Sequence, residues 1–453
     1  MGMMTANGYE VSLKNGQTCA SWDAMIKAFL AHSSETPVHL GAVLEAEPEF
    51  GMGHAVKGLM CLMLGRKELI ETARDCAGKA HLAREAGDMN ATEALYLSAL
   101  DVWLAGKPSV AIEEIEKVLR KHPYDALAAK ISHGIRFMLG DNHGMRSSIE
   151  AIISAYSEDH PYAGYISGCY SFALEETGDY ARAERFGHKG VEMAPDDAWG
   201  LHSVAHVYDM TGRADTGVQW LGNRASSWEH CNNFGYHVWW HLALFHLDRG
   251  KYDTVLDLYD RKVRLDHTDD YRDISNGASM LMRLELEGVD VGNRWEELAN
   301  LSEGRTDDNC VVFADLHYML SLLGGDRDEA ARRLISQMEQ QAANLNGDMD
   351  YIAKAPGLAA AQGLMAFSEG NHSLAFKQLA SARNLMQTVG GSHAQRDVFE
   401  RVTIEAGIRA GALHEVGEIL TDRTKLRGAE DSYARKRTAF VRELSQQNLM
   451  AGE

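Results

Sequence analysis

Six cysteines, at positions 19, 61, 76, 169, 231 and 310, are spread over 453 residues with no C-x-x-C pair among them. That scarcity excludes a zinc ribbon and a disulfide framework, and it predicts reduced thiols in a cytoplasmic protein. Only seven prolines are present, and no Ser/Gly-rich tract marks a flexible linker. No run approaches the ~18 apolar residues of a membrane span, and the start, MGMMTANGYEVSLKNG, has neither the basic head nor the apolar core of a signal peptide. Basic residues are outnumbered 45 to 65, for a formal charge of −20. Such a balance repels a phosphate backbone, so no nucleic-acid partner is expected. Missing too are a G-x-S-x-G elbow, a phosphate-binding loop, a dinucleotide fingerprint and H-E-x-x-H. Sustained period-two alternation, the mark of strands, is lacking as well.

What the chain has is a ruler. An apolar stretch, a glycine, one or two polar residues and a second helical stretch recur at Gly106, Gly140, Gly178, Gly212, Gly250 and Gly288. The successive spacings, 34, 38, 34, 38 and 38 residues, are those of stacked helix–turn–helix units of the tetratricopeptide kind. In each unit the glycine would supply the left-handed residue that ends the first helix. HPYDALA and APDDAWG, at Pro123 and Pro195, mark the starts of following repeats. Weaker versions appear in LGGDRDEAA, SEGNHSLAF and RAGALHEVG. The expectation is an all-α chain, a curved α-solenoid forming a single domain over 1–453, regular over 106–288 and less regular over 289–453.

Chemistry-bearing residues cluster in two of the predicted helices. In WGLHSVAHVYDMTGR, His202, His206 and Asp209 stand at i, i+4 and i+7; in GYHVWWHLALFHLDRG, His237 and His241 share a stripe beside Trp240. The second helix is apolar on nearly every side, and buried imidazoles need partners for both ring nitrogens. Four such rings on neighbouring repeats form either a hydrogen-bonded core or the wall of a pocket. Paired histidines at i, i+4 also suit a transition metal.

Two further segments carry candidates. VVFADLHYML holds Asp315 and His317, about 200° apart on a helix, so at most one can face any one cavity. In VGGSHAQRDVF, Ser392 and Gln395 form the S-x-x-Q pattern of a capping box, and His393, Arg396 and Asp397 crowd the same helix start. A cation there opposes the helix dipole, so Arg396 requires either a carboxylate partner or an anionic ligand. Cys169 and Cys231 lie near the histidine segments in sequence, where a small buried thiol and a Cys–His pair are the two readings.

Taken in order, LHSVAHVYDMTGR, HVWWHLALFHLDRGKYDTVLDLYD, SMLMRLELEGVDVGNRW, FADLHYML and GGSHAQRDVF resemble the family of tetratricopeptide repeat protein 38. The resemblance covers most of the chain and implies a curved helical-repeat fold without a settled biochemistry. It lands on His202, His206, His237, Trp240, His241, Asp315, His317, Gln395, Arg396 and Asp397. His393 stands where relatives have Asn, Asp209 where Glu is common, and Asn276 where Asp is expected.

Two functions follow as expectations. One is a pocket for an anionic or polar small molecule, with His202, His206, His237 and His241 as acid–base groups of a hydrolase or lyase. Trp240, Asp315, His317, His393, Gln395, Arg396 and Asp397 would then contact the ligand. The other is a scaffold gripping a peptide or partner protein in a concave groove. No cofactor is expected; a transition metal at the four histidines is the other use of that cluster. Neither reading calls for a membrane, and both are compatible with a homo-oligomer.

Overall fold

In a computed structural model that describes residues 2–451, the side chains of 448, 449 and 451 excepted, the chain is all-α. Residues 1, 452 and 453 of the expected domain lie outside the described residues. The exception to helix is a two-stranded antiparallel ribbon, Met3–Met4 with Glu10–Val11.

The glycine ruler is realised as helix pairs. Glu93–Leu104 is followed by Pro108–Lys121, Ala126–Met138 by Asn142–Ile152, Ala163–Glu175 by Tyr180–Met193, and Ala198–Met210 by Ala214–Gly222. Phe234–Asp248 precedes Tyr252–Leu258, and Tyr271–Leu286 precedes Arg294–Glu303. Each of the six ruler glycines sits between the two helices of its pair at a φ of 66° to 82°. A side chain is strained in that left-handed region, which is why glycine recurs there.

The pattern continues through Leu358–Ser368 with His372–Ala382, turning at Gly370, and through His393–Ala410 with Leu413–Arg427, turning at Gly411. LGGDRDEAA departs from the expected glycine turn, because Asp326, at φ 57°, is the left-handed residue. Gly324 and Gly325 are small there because the Trp295 ring and the Ala299 methyl press against them.

Among first helices of the pairs, Ala163–Glu175 has all thirteen residues buried, the acidic Glu175 included. Second helices carry one buried stripe: in Pro108–Lys121 it is Ala111, Ile112, Ile115, Val118 and Leu119. An outer helix of this kind keeps its opposite face in water. Helix starts use local caps, as where Asp125 Oδ1 accepts from the Ala128 amide at 3.0 Å while Oδ2 accepts from the Tyr9 and Tyr96 hydroxyls at 2.8 and 2.6 Å.

The chain divides into two compact units. The first is Met1–Val204 with Ala225–Gly235 and Leu345–Met349; the second is Ala205–Arg224 with Tyr236–Asn344 and Asp350–Glu453. One of the borders, between Val204 and Ala205, falls within the helix Ala198–Met210.

Candidate functional site

In the second unit, His206, His237 and His241 meet. Their ligating nitrogens lie within 4.8 Å of one another. The rings of His206 and His241 are 4.3 Å apart, and those of His237 and His241 4.7 Å. His237 Nδ1 lies 2.8 Å from Asn276 Oδ1, and its Nε2 lies 3.2 Å from His241 Nε2. With the Asn276 oxygen accepting, the His237 proton is on Nδ1, and its Nε2 presents a lone pair towards His241. Trp240 is wholly buried and stacks on the His237 ring at 5.2 Å. His206 and His241 are buried too, whereas His237 is only partly so.

Burial sets the charge of these rings. It pushes His237 down to about 4, with Arg272 adding repulsion, and it drives His206 well below the ordinary imidazole value, with the charges of Arg396 and Arg427 contributing. They are neutral donors and acceptors at pH 7. His202, in the first unit, has its Nδ1–H donated to the Trp199 carbonyl at 3.0 Å and its ring stacked on Phe172. Asp209 does not face the second unit's histidines as ligand; it pairs with Arg427 at 3.0 Å.

Behind Trp240 lies a residue the sequence reading passed over. Arg283 is buried, its guanidinium 5.5 Å from the Trp240 ring, donating to the Ser279 and Ala394 carbonyls at 3.0 and 2.6 Å. Among the described residues no carboxylate pairs with it. Burial, then the Arg401 charge, lowers it to about 9.

The helix His393–Ala410 begins as its sequence indicates. Ser392 Oγ accepts from the Gln395 amide at 3.2 Å, and Gln395 Oε1 accepts from the Ser392 amide at 2.9 Å, completing the capping box. Gln395 is thereby committed to the cap. Arg396 is buried, donates to the Gly390 and Gly391 carbonyls, and meets His393 Nδ1 at 3.2 Å.

Asp397 is the hub of an ionic network. It accepts from Arg401 at 2.8 Å and from Arg423 at 2.6 Å, and Arg423 in turn grips Asp431 at 2.6 Å. Burial would raise the Asp397 carboxyl, but the two guanidiniums more than offset it and hold it well below the usual range. Arg423 and Arg427 were legible only as basic residues one helical turn apart, and nothing local tied them to Asp397, 26 positions away in the case of Arg423.

A cavity of about 270 Å3 opens beside this network in the second unit. Met210, Leu379, Met386, Phe399 and Leu426 supply its apolar lining, and His393, Thr403, Asn384 and Gln387 neutral polar groups; the charged wall is mixed, with Arg383, Arg396, Arg423 and Arg427 facing Asp397, Glu400 and Asp422. Asp315 and His317 do not line it. Both are buried: His317 donates Nδ1–H to the Phe313 carbonyl at 2.7 Å and is pushed down to about 3, while burial and then the Asp308 charge push Asp315 up to about 8. Of the residues expected to touch a ligand, Arg396, His393 and Asp397 share this cavity wall, and Trp240 packs against the histidines.

Cys169 is buried and raised to about 11 by desolvation, far from thiolate character at neutral pH, and Cys231, whose Sγ lies 3.8 Å from His230 Nε2, is raised by burial as well.

No family model matches the chain. Among solved structures, the crystal structure of yeast Tom70 is similar over 94% of this chain and 88% of that one, at 11% identity and a TM-score of 0.36. The structure of Naa15/Naa10 bound to HypK-THB is similar over 96% and 67%, at 14% identity and a TM-score of 0.25.

Proposed function

We propose that this protein is a helical-repeat binding protein, and that the cavity beside Arg396 receives an anionic group presented by a segment of a partner protein. The observation that carries this reading is the cavity's lining. Its volume of about 270 Å3, at the lower edge of the roughly 300–1,000 Å3 of small-molecule sites, admits an acidic side chain, a chain-terminal carboxylate or a small free carboxylate. Its lining supplies a buried guanidinium for the charge and Met386, Phe399 and Leu426 for the adjoining carbons. Arginine's planar fork fits a carboxylate in two parallel hydrogen bonds.

A small-molecule carboxylate is the second reading, favoured by the neutral histidines of the same unit, which could serve acid–base chemistry. The two separate in one experiment. Acidic peptides and small mono- and dicarboxylates are titrated by calorimetry into wild-type protein and into Arg396→Ala. Peptide binding that weakens by roughly tenfold or more in the variant, at unchanged melting temperature, supports the proposal, because a hydrogen bond to a charged group contributes about 1.5–3 kcal/mol. Small carboxylates that bind and turn over while peptides do not would establish the second reading. Binding of either kind that ignores the substitution overturns both.

A further inference from the structure

We infer that His206, His237 and His241 form a binding site for a divalent transition metal, zinc by its donor set. This goes beyond the binding reading above and stands without it, since none of these three residues lines the Arg396 cavity.

The argument is geometric. Zinc bound to imidazoles at about 2.0–2.1 Å in tetrahedral array separates neighbouring nitrogens by roughly 3.3–3.4 Å. His237 Nε2 and His241 Nε2 are 3.2 Å apart, and a ligating nitrogen of His206 lies within 4.8 Å of one on each of the other two rings. Two of the donors sit at i, i+4 on the helix Phe234–Asp248, so one rigid backbone presents both.

Around His237 the surroundings also match what a metal-bound histidine requires. A ligating imidazole donates its other N–H to an outer oxygen, which fixes the tautomer and turns the free nitrogen towards the ion. Asn276 Oδ1, 2.8 Å from His237 Nδ1, is placed to do this, and Trp240 stacked on the ring holds its plane. Without metal, His241 Nε2–H donates to His237 Nε2, and ligation through both Nε2 atoms places the His241 proton on Nδ1. Neutral nitrogens suit zinc, copper, nickel or cobalt and serve calcium and magnesium poorly, because those ions take oxygen ligands. His237, the partly exposed member, is where an ion can enter.

The test uses the full chain, stripped with a chelator and titrated with Co2+ and then Zn2+. The expected result is one equivalent of Co2+ with the visible absorption of a tetrahedral nitrogen site and no thiolate charge-transfer band, displaced by one equivalent of Zn2+. His237→Ala and His241→Ala should each weaken Co2+ binding by roughly 100-fold or more, and Asn276→Ala by about 10–100-fold through loss of the outer hydrogen bond. His414→Ala, on an exposed ring, should change nothing. His237→Gln, which keeps the side-chain volume, separates loss of ligation from loss of fold, with helical circular dichroism as the check. Absence of Co2+ and Zn2+ binding to the wild-type chain, a thiolate spectrum, or binding that survives His237→Gln and His241→Ala undiminished would overturn the site.

Discussion

Asp315→Asn should stabilise this protein at neutral and alkaline pH and progressively lose that advantage as the solution is acidified. The carboxyl is 1% exposed, and burial, followed by the nearby Asp308 charge, lifts it from the ordinary 3.8 to about 8. At pH 7 the folded chain therefore keeps this proton while the unfolded chain has released it. Because the native state binds the extra proton between these two values, the free energy of unfolding falls as pH rises through that window. Each pH unit corresponds to about 1.4 kcal/mol, so from pH 5 to pH 7 this one group removes on the order of 2–3 kcal/mol. Asparagine has nearly the same shape and does not titrate. Melting curves of wild type and variant at pH 5, 6, 7 and 8 should show a gap that widens by roughly 2–3 °C in the variant's favour between pH 5 and pH 7, at about 1 °C per kcal/mol for a chain of 453 residues. A gap independent of pH, or a wild-type chain that gains on the variant as pH rises, would refute the reasoning. It would mean that Asp315 is ionised in the fold and compensated by another group.

Asp397→Ala strands Arg423 and Arg401, which are buried against it, and should cost about 3–5 kcal/mol in urea unfolding; the double variant with Arg423→Met should recover part of the loss. Gly187→Ala would drive a methyl into the Val204 and Ser171 side chains and should destabilise by about 1–3 kcal/mol. Gly78→Ala, inside the helix Lys67–Glu85 with open space around it, should instead stabilise by about 0.5–1 kcal/mol, and thermal unfolding of the pair measures both signs.

Much of the repeat architecture was readable because it is written locally. Gly106, Gly140, Gly178, Gly212, Gly250 and Gly288 each solve a problem confined to one turn, and their φ angles confirm the solution. The capping box at Ser392 and Gln395 is equally local: donors and acceptors three residues apart find each other in any helix that starts there. Where the turn used Asp326, the LGGDR string misled, since its glycines answer to Trp295 and Ala299 from another helix.

The i, i+4 spacing of His237 and His241 put both rings on one stripe, which helix geometry alone requires. That His206 joins them, that Asn276 orients His237, and that Arg283 lies over Trp240 depend on which helices pack together. Sequence spacing cannot express such packing, because it is chosen by the fit of whole helix faces. The same holds for Arg396: its position at a helix start announced a need for compensation, whereas its carbonyl partners and the cavity beside it arise from the fold around Gly390 and from Leu413–Arg427. The helix–turn–helix period, the caps and the stripes are thus legible in residue order, being short-range consequences of backbone sterics and hydrogen bonding. Which imidazoles, guanidiniums and carboxylates become neighbours is settled by packing, because burial and charge compensation depend on residues that are distant along the chain.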